Sequence, residues 1–153
     1  LLSQPGLGAH QSDSLITRLQ TACTEFRLVH RLDRDTSGLV LVARNQASLP
    51  ALSALFAARR VQKLYIADVR RPLSGRRGSI RHPLARLQRQ PPFYGPHPDG
   101  KPCCTLWRKW TESSHCRRVW LRPLTGRSHQ LRAHLAAMGS PICADPIYAA
   151  SNA

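Results

Sequence analysis

No long helix can pass through the middle of this chain. Between Arg70 and Pro102, prolines stand at Pro72, Pro83, Pro91, Pro92, Pro96, Pro98 and Pro102. Each lacks an amide hydrogen and clashes with the preceding helical turn. The residue before each proline is pushed toward extended backbone as well. The stretch therefore reads as loop-rich, with room for a short strand near Ser79 to Arg81. Regular structure must lie on either side of it, in short pieces.

On the N-terminal side, Asp13 to Gln20 fits a short helix with Leu15, Ile16 and Leu19 on one face, and Phe26 to Val29 reads as extended. The apolar run Leu39 to Ala43, bounded by Gly38 and Arg44-Asn45, suits a strand buried on both faces. Leu49, Leu52, Leu55 and Phe56 recur at helical spacing within Gln46 to Arg60, and Leu64 to Val69 alternates like a strand. On the C-terminal side, Thr105 to Trp110 and Arg117 to Arg122 read as two strands of a hairpin across Glu112-Ser113-Ser114. Ser128 to Met138 is the clearest helix: Leu131, Leu135 and Met138 share a face, Ser128 stands where a cap belongs, and Gly139 ends it. No repeat is visible. Strands outnumber helices without alternating with them, which is the pattern of an α+β fold.

The charge balance narrows the partner. Lys and Arg number 23 against 8 Asp and Glu, a formal net charge of +15. Such a surplus favours a polyanion, because each cation near a phosphate releases condensed counterions. RNA or DNA fits better than a membrane surface, since no long amphipathic helix with one basic face is present. No apolar run approaches the roughly 20 residues of a membrane span, and Leu1 to Gly6 lacks the basic and apolar blocks of a signal peptide. The five cysteines include no C-x-x-C pair, so they read as reduced thiols rather than as a zinc site or a disulfide framework.

Three segments concentrate reactive groups. His30-Arg31-Leu32-Asp33-Arg34-Asp35-Thr36-Ser37-Gly38 places two carboxylates, two arginines and a histidine in a turn ahead of an apolar run. By residue type alone it reads equally as a salt-bridged surface turn. Thr125-Gly126-Arg127-Ser128-His129-Gln130-Leu131-Arg132-Ala133-His134 puts a sharp-turn glycine and an arginine just before a helix. Arg127 there can pair with an acid from elsewhere, and the first-turn amides can receive a phosphate, although an ordinary basic helix start looks the same. Lys63 and Tyr65 stand two apart, on one face of a strand.

Taken in order, these segments resemble the RluA-type family of RNA pseudouridine synthases, and most resemble its branch that modifies ribosomal and transfer RNA. The H-R-L-D-x-x-T-S-G pattern is complete at His30 to Gly38, K-x-Y follows at Lys63 to Tyr65, and G-R-x-H-Q-L-R-x-H is complete at Gly126 to His134. Leu1 to Gly6, Asp99 to Pro102 and Gly139 to Tyr148 also have counterparts, with a glycine expected near Ala144 replaced. The resemblance implies a mixed, mostly antiparallel sheet with flanking helices around a central RNA-binding cleft. It implies one catalytic domain over residues 1–153 that lacks strands at both ends, without an accessory S4-like domain.

It implies, further, an isomerase that converts uridine to pseudouridine in ribosomal or transfer RNA stem-loops. Asp33 corresponds to the catalytic aspartate, which either attacks the sugar covalently or removes a ribose proton; both routes stay open. Arg127 corresponds to the arginine that pairs with it, Tyr65 to the tyrosine stacked on the flipped uracil, and Leu131 to an apolar contact with that base. Arg31 corresponds to the arginine that fills the space the nucleotide leaves. His30, Lys63, His129 and Gln130 are candidate RNA contacts, His30 being equally readable as a hydrogen-bonded structural residue. No cofactor or metal is implied, and the expectation is a cytoplasmic or organellar monomer acting on RNA. The rival reading is a truncated, catalytically inactive RNA-binding module; a ribosome-associated structural protein would leave the two complete motifs without a role.

Overall fold

The computed structural model describes residues 1–6, 11–110 and 117–149. It divides into two compact units, Leu1–Val61 and Gln62–Ala153. Elements are named in chain order: α1 (Leu15–Ala22), β1 (Arg27–Leu28), β2 (Val42–Ala43) and α2 (Leu49–Ala57) in the first unit. The second holds β3 (Tyr65–Asp68), β4 (Arg77–Ile80), β5 (Leu84–Gln88), β6 (Phe93–Pro96), β7 (Thr105–Lys109), β8 (Arg118–Pro123) and α3 (Gln130–Ala137). Antiparallel strand pairing with interspersed helices is an α+β fold, as the residue pattern suggests.

In the first unit, α1 starts at a reciprocal cap. The Ser14 hydroxyl accepts the Thr17 amide at 3.3 Å while Thr17 Oγ1 accepts the Ser14 amide at 2.9 Å. Two more first-turn amides, those of Leu15 and Ile16, donate to the carbonyls of Leu2 and Ser3, so the N-terminal segment is tied to this helix. β1 and β2 pair antiparallel over two residues only. The expectation of a doubly buried strand at Leu39 to Ala43 does not hold. Ala43 is buried, but Leu39 is 95% exposed and Leu41 41% exposed. An apolar run reports hydrophobicity, not how many neighbours cover it, and among the described residues the strand ladder here is confined to Val42 and Ala43. In α2, Pro50 sits in the first turn, where its missing amide costs nothing; Leu55 of the expected apolar stripe is exposed.

In the second unit, a four-stranded sheet runs in the order β3-β8-β7-β4, every neighbour antiparallel. One face supplies the main core, with Ala67, Val69, Ile80, Trp107, Val119 and Leu121 packed together with Leu135 of α3. A second cluster, Leu84, Cys103, Ala133 and Tyr148, takes in Phe93 and Tyr94. α3 therefore packs on two sides, with Leu131 and Leu135 toward the sheet and Ala133 and Ala136 toward the β5–β6 hairpin. A small side chain on one face and leucines on the other let the helix approach two layers at once.

The proline-dense stretch is less loop-like than its composition indicates. It holds β4 and the β5–β6 hairpin, which carries a register shift between Arg86 and Gln88. Its prolines fall in the connections before β4 and β5, between β5 and β6 and between β6 and β7, with Pro96 at the end of β6, positions that suit a residue with no amide donor. β7 and β8 pair as expected; the anticipated turn at Glu112 to Ser114 lies outside the described residues.

The α3 boundary also departs from expectation. Ser128 makes no cap; the N-cap is His129, in left-handed backbone at φ 52°, ψ 19°, without a side-chain cap hydrogen bond. Gln130 instead reaches back, its Oε1 accepting the Arg127 amide at 3.0 Å. Met138 is the C-cap and is 44% exposed, not part of the core stripe.

Candidate active site

In the first unit, the backbone around Asp33 is pinned on both sides. Ser3 Oγ accepts the Leu32 amide at 3.1 Å and donates to the Leu32 carbonyl at 3.3 Å. The Thr36 amide donates to the Asp33 carbonyl at 3.0 Å, closing a turn through Arg34 and Asp35. Gly38 then takes φ 142°, a conformation that side chains disfavour. The chain can thus leave the turn toward β2 without disturbing it. Asp33 is partly buried, whereas Arg31 and Asp35 are exposed.

His30 is held by two contacts. Its ring stacks on Phe56 of α2, centroids 4.7 Å apart at 21°, and its Nε2 accepts the Leu41 amide at 2.9 Å. An accepting Nε2 leaves the neutral ring's proton on Nδ1. This fixes the loop's two ends, His30 and Leu41, to each other.

In the second unit, burial alternates along Lys63 to Val69, so Lys63 and Tyr65 do lie on the same, inward face. Tyr65 and Leu131 both pack against the main core cluster. The Lys63 Nζ lies 3.3 Å from where a Cβ on Gly126 would sit. Gly126 is not in left-handed backbone; its value here is the space it leaves for the ammonium, not the sharp turn anticipated. Partial burial holds the Lys63 amine below its usual value.

Arg127 is exposed and its Nε donates to the Pro102 carbonyl at 3.4 Å. Its position is set by a network beneath it. Thr125 Oγ1 accepts the Cys104 amide at 3.1 Å and donates to Gln130 Oε1 at 2.7 Å. Gln130 Nε2 donates to the Cys104 carbonyl and to Thr105 Oγ1, both at 3.0 Å. Thr105 Oγ1 then donates to His134 Nδ1 at 2.9 Å, and His134 Nε2 to the His82 carbonyl at 2.9 Å. Every donor finds an acceptor if His134 is the neutral Nε2–H tautomer. Burial holds His134 below its ordinary pKa, in keeping with that form. Gln130 is 4% exposed with its whole amide engaged inside the protein.

His129 Nδ1 lies 3.1 Å from the Tyr148 hydroxyl, which itself accepts the Tyr94 amide at 2.9 Å. The Tyr148 hydroxyl thus bridges His129 and the Tyr94 amide, and the left-handed residue before α3 is latched to the β5–β6 hairpin.

Reading residue by residue missed several of these supports. Arg132 pairs two-pronged with Asp145 at 2.7 and 2.9 Å, and Asp145 Oδ1 also accepts the amides of Ile147 and Tyr148. Burial by itself would raise the Asp145 carboxyl; the guanidinium and the two amides outweigh it and hold the group below the usual carboxylate range. The signal available was that Arg132 and Asp145 both fall in segments with family counterparts. Ala144, where a glycine was expected, takes φ 58°, which explains the family's residue.

Among the described residues, no group of three or more His, Cys, Asp or Glu could hold a metal ion. No helix among them is long and apolar enough to cross a membrane. Cys23, Cys103, Cys104 and Cys143 are free thiols.

The model of the RNA pseudouridylate synthase family matches residues 3–137. The chain belongs to that family. It is 38% identical over its whole length to the dual-specificity RNA pseudouridine synthase RluA of Vibrio parahaemolyticus, covering 64% of that relative. Its identity to the RluA of Escherichia coli (strain K12) is 37%, covering 71% of it. The structure of human RNA pseudouridylate synthase domain containing 1 superposes on 88% of the chain with a TM-score of 0.78 at 32% identity, 60% of that structure being matched. Human RNA pseudouridylate synthase domain containing 4, at 22% identity, shares the fold with a TM-score of 0.74. The chain thus spans less than two thirds of the Vibrio relative and of the first human structure. Within the family pattern, His30, Arg31 and Asp33 belong to the first unit, and Lys63, Tyr65, Arg127, His129, Gln130 and Leu131 to the second.

Proposed function

We propose that the chain is an RNA pseudouridine synthase that isomerises uridine in ribosomal or transfer RNA stem-loops. The observation that carries this reading is the pair of complete motifs, each immobilised by its own hydrogen-bond scaffold: Ser3 and the Thr36 turn around Asp33, and the Gln130–His134 network under Arg127. Scaffolding of this kind suits a site that must hold reacting groups to within a fraction of an ångström.

The chemistry breaks the bond between uracil N1 and ribose C1′, turns the base, and joins C5 to C1′, with loss of the C5 proton and uptake of a proton at N1. It is an isomerisation, balanced without a cofactor. Asp33 supplies the carboxylate that acts at the sugar, by attack at C1′ or by taking a ribose proton. Arg127 corresponds to the family arginine that orients this carboxylate, its planar guanidinium being suited to that task. The target nucleotide must leave the RNA stack; Tyr65 then stacks on its uracil, its hydroxyl placed to assist removal of the C5 proton, and Leu131 packs against the same ring. Arg31 fills the vacated position, its planar guanidinium stacking on neighbouring bases. Gln130 and His30 act on this reading as positioning residues, and Lys63 and His129 lie beside the substrate.

Both units belong, on this proposal, to one catalytic domain that works on RNA as a metal-independent monomer in the cytoplasm. Chemical mapping of pseudouridine in stem-loop transcripts incubated with the protein tests the reading. A new pseudouridine at one defined uridine is the expected result; unmodified transcripts despite RNA binding would leave only the binding module.

A further inference from the structure

The four-stranded sheet has a second face, opposite the one that carries Tyr65 and the core, and nothing in the proposed chemistry uses it. Strand register lays Ile66, Trp120, Arg108 and Arg77 in one row straight across β3, β8, β7 and β4. Alternation puts this row outward, since the flanking Val119, Leu121 and Trp107 point into the core. Trp110, 45% exposed, stacks flat on Trp120 with centroids 4.6 Å apart at 11°. Arg122 stands on the same face, one row along.

Stacked, solvent-facing indoles beside several guanidinium groups are an unusual surface. Buried tryptophans are explained by packing, but Trp110 is not buried. Among the described residues, no acidic side chain pairs with Arg77, Arg108 or Arg122. Among the described residues, the acid on this face is Asp68, which Arg118 binds two-pronged at 2.7 and 2.8 Å. The face is thus net cationic with an aromatic platform at its edge, and an open depression lined by Arg76, Arg77 and Arg108 adjoins it. Charge complementarity selects a polyanion, and the indole pair selects one that also carries flat rings.

We propose that this face is a second RNA surface, on which an unpaired stretch flanking the modified stem-loop extends the Trp110–Trp120 stack while Arg77, Arg108 and Arg122 contact its phosphates. It rests on the RNA reading above but not on catalysis. The surface is sequence-tolerant, because every base offers a π face and the arginines meet only the backbone. Its role is to add affinity for substrates with single-stranded flanks over bare stem-loops.

The test uses the whole chain and a fluorescein-labelled 12-nucleotide oligouridylate containing 4-thiouridine, read by anisotropy and by photo-crosslinked peptides. Trp110→Ala is expected to weaken binding about tenfold, the scale of one lost base stack. Arg77→Gln with Arg108→Gln should flatten the salt dependence by about 0.7 logarithmic unit per lost contact. Crosslinks should fall on the peptides carrying Arg108 to Trp110. Modification of a stem-loop without flanks should be unchanged in all these variants. Crosslinks confined to peptides with Asp33, Tyr65 or Arg127, with unaltered affinity in the variants, would overturn the second surface and leave the RNA reading standing. Absence of any binding by the unaltered chain would overturn both. Unaltered RNA affinity with self-association abolished by Trp110→Ala would make the face a protein contact and refute the proposal as well.

Discussion

Removing the Asp145 carboxylate should destabilise the second unit more than any other single surface-distant change outside its apolar core. The side chains of Asp145 and Arg132 are only 4% and 12% exposed, so Asp145→Ala takes the two-pronged carboxylate away from a guanidinium in a poorly solvated place. It also strips the Ile147 and Tyr148 amides of their acceptor. Breaking one partner of a buried pair costs about 3–5 kcal/mol, and each abandoned amide on the order of 1 kcal/mol more, though not additively. A loss of about 4 kcal/mol follows. Arg132→Met should cost less, since a methionine fills much of the same volume. Combining the two removes both charges of the pair, so the double variant should be about 2 kcal/mol more stable than the sum of the single losses implies. Urea unfolding followed by tryptophan fluorescence is the assay, because Trp107, Trp110 and Trp120 all lie in the second unit. The pH arm adds a sign. The Asp145 carboxyl is held below its ordinary value, so its contribution is full above pH 3.8 and is lost as pH falls through the lower, folded value. The gap between the wild-type chain and Asp145→Ala should therefore close in strong acid. A cost under about 1 kcal/mol, or single losses that simply add, would refute the assignment of the pair as a structural keystone.

Other substitutions probe separate parts of the account. Ala144→Gly should raise stability by about 0.5–1 kcal/mol, because φ 58° disfavours a Cβ; a lowered urea midpoint would contradict it. His134 is held below pH 6.5 by burial, so stability should decline as pH falls from 6.5 toward its folded value, and His134→Asn should lack that portion of the slope. Tyr65→Phe should keep RNA affinity while slowing product formation; unchanged single-turnover kinetics would remove the hydroxyl from the proton transfer.

The elements that sequence periodicity revealed are those whose pattern is made locally. α3 declares itself through Leu131 and Leu135, and β7 and β8 through alternation that ends in Trp107, Val119 and Leu121 pointing inward. The β5–β6 hairpin is hidden in the composition because prolines break elements from within, whereas here they stand at strand ends and in connections. Leu39 to Ala43 misled in the other direction, since Leu39 and Leu41 stay exposed while Ala43 is buried. The true cap of α3 was out of reach, as it depends on Gln130 folding back and on the Tyr148 hydroxyl arriving from 19 residues away. The site divides similarly. Asp33, Tyr65 and Arg127 stand out because the motif segments are complete, while the residues that hold them, Ser3, Thr105, Asp145 and Tyr148, act through distant contacts that spacing does not encode.

Tritium release from stem-loop transcripts labelled at uridine C5 reads the C5 proton loss on which the proposed isomerisation turns. The unaltered protein should release tritium in proportion to pseudouridine formed, and Asp33→Ala should release none above background while still binding the transcript. Release by Asp33→Ala at a rate near that of the unaltered protein would show that the carboxylate carried on the backbone turn held by Ser3 and Thr36 is not the group that acts on the sugar.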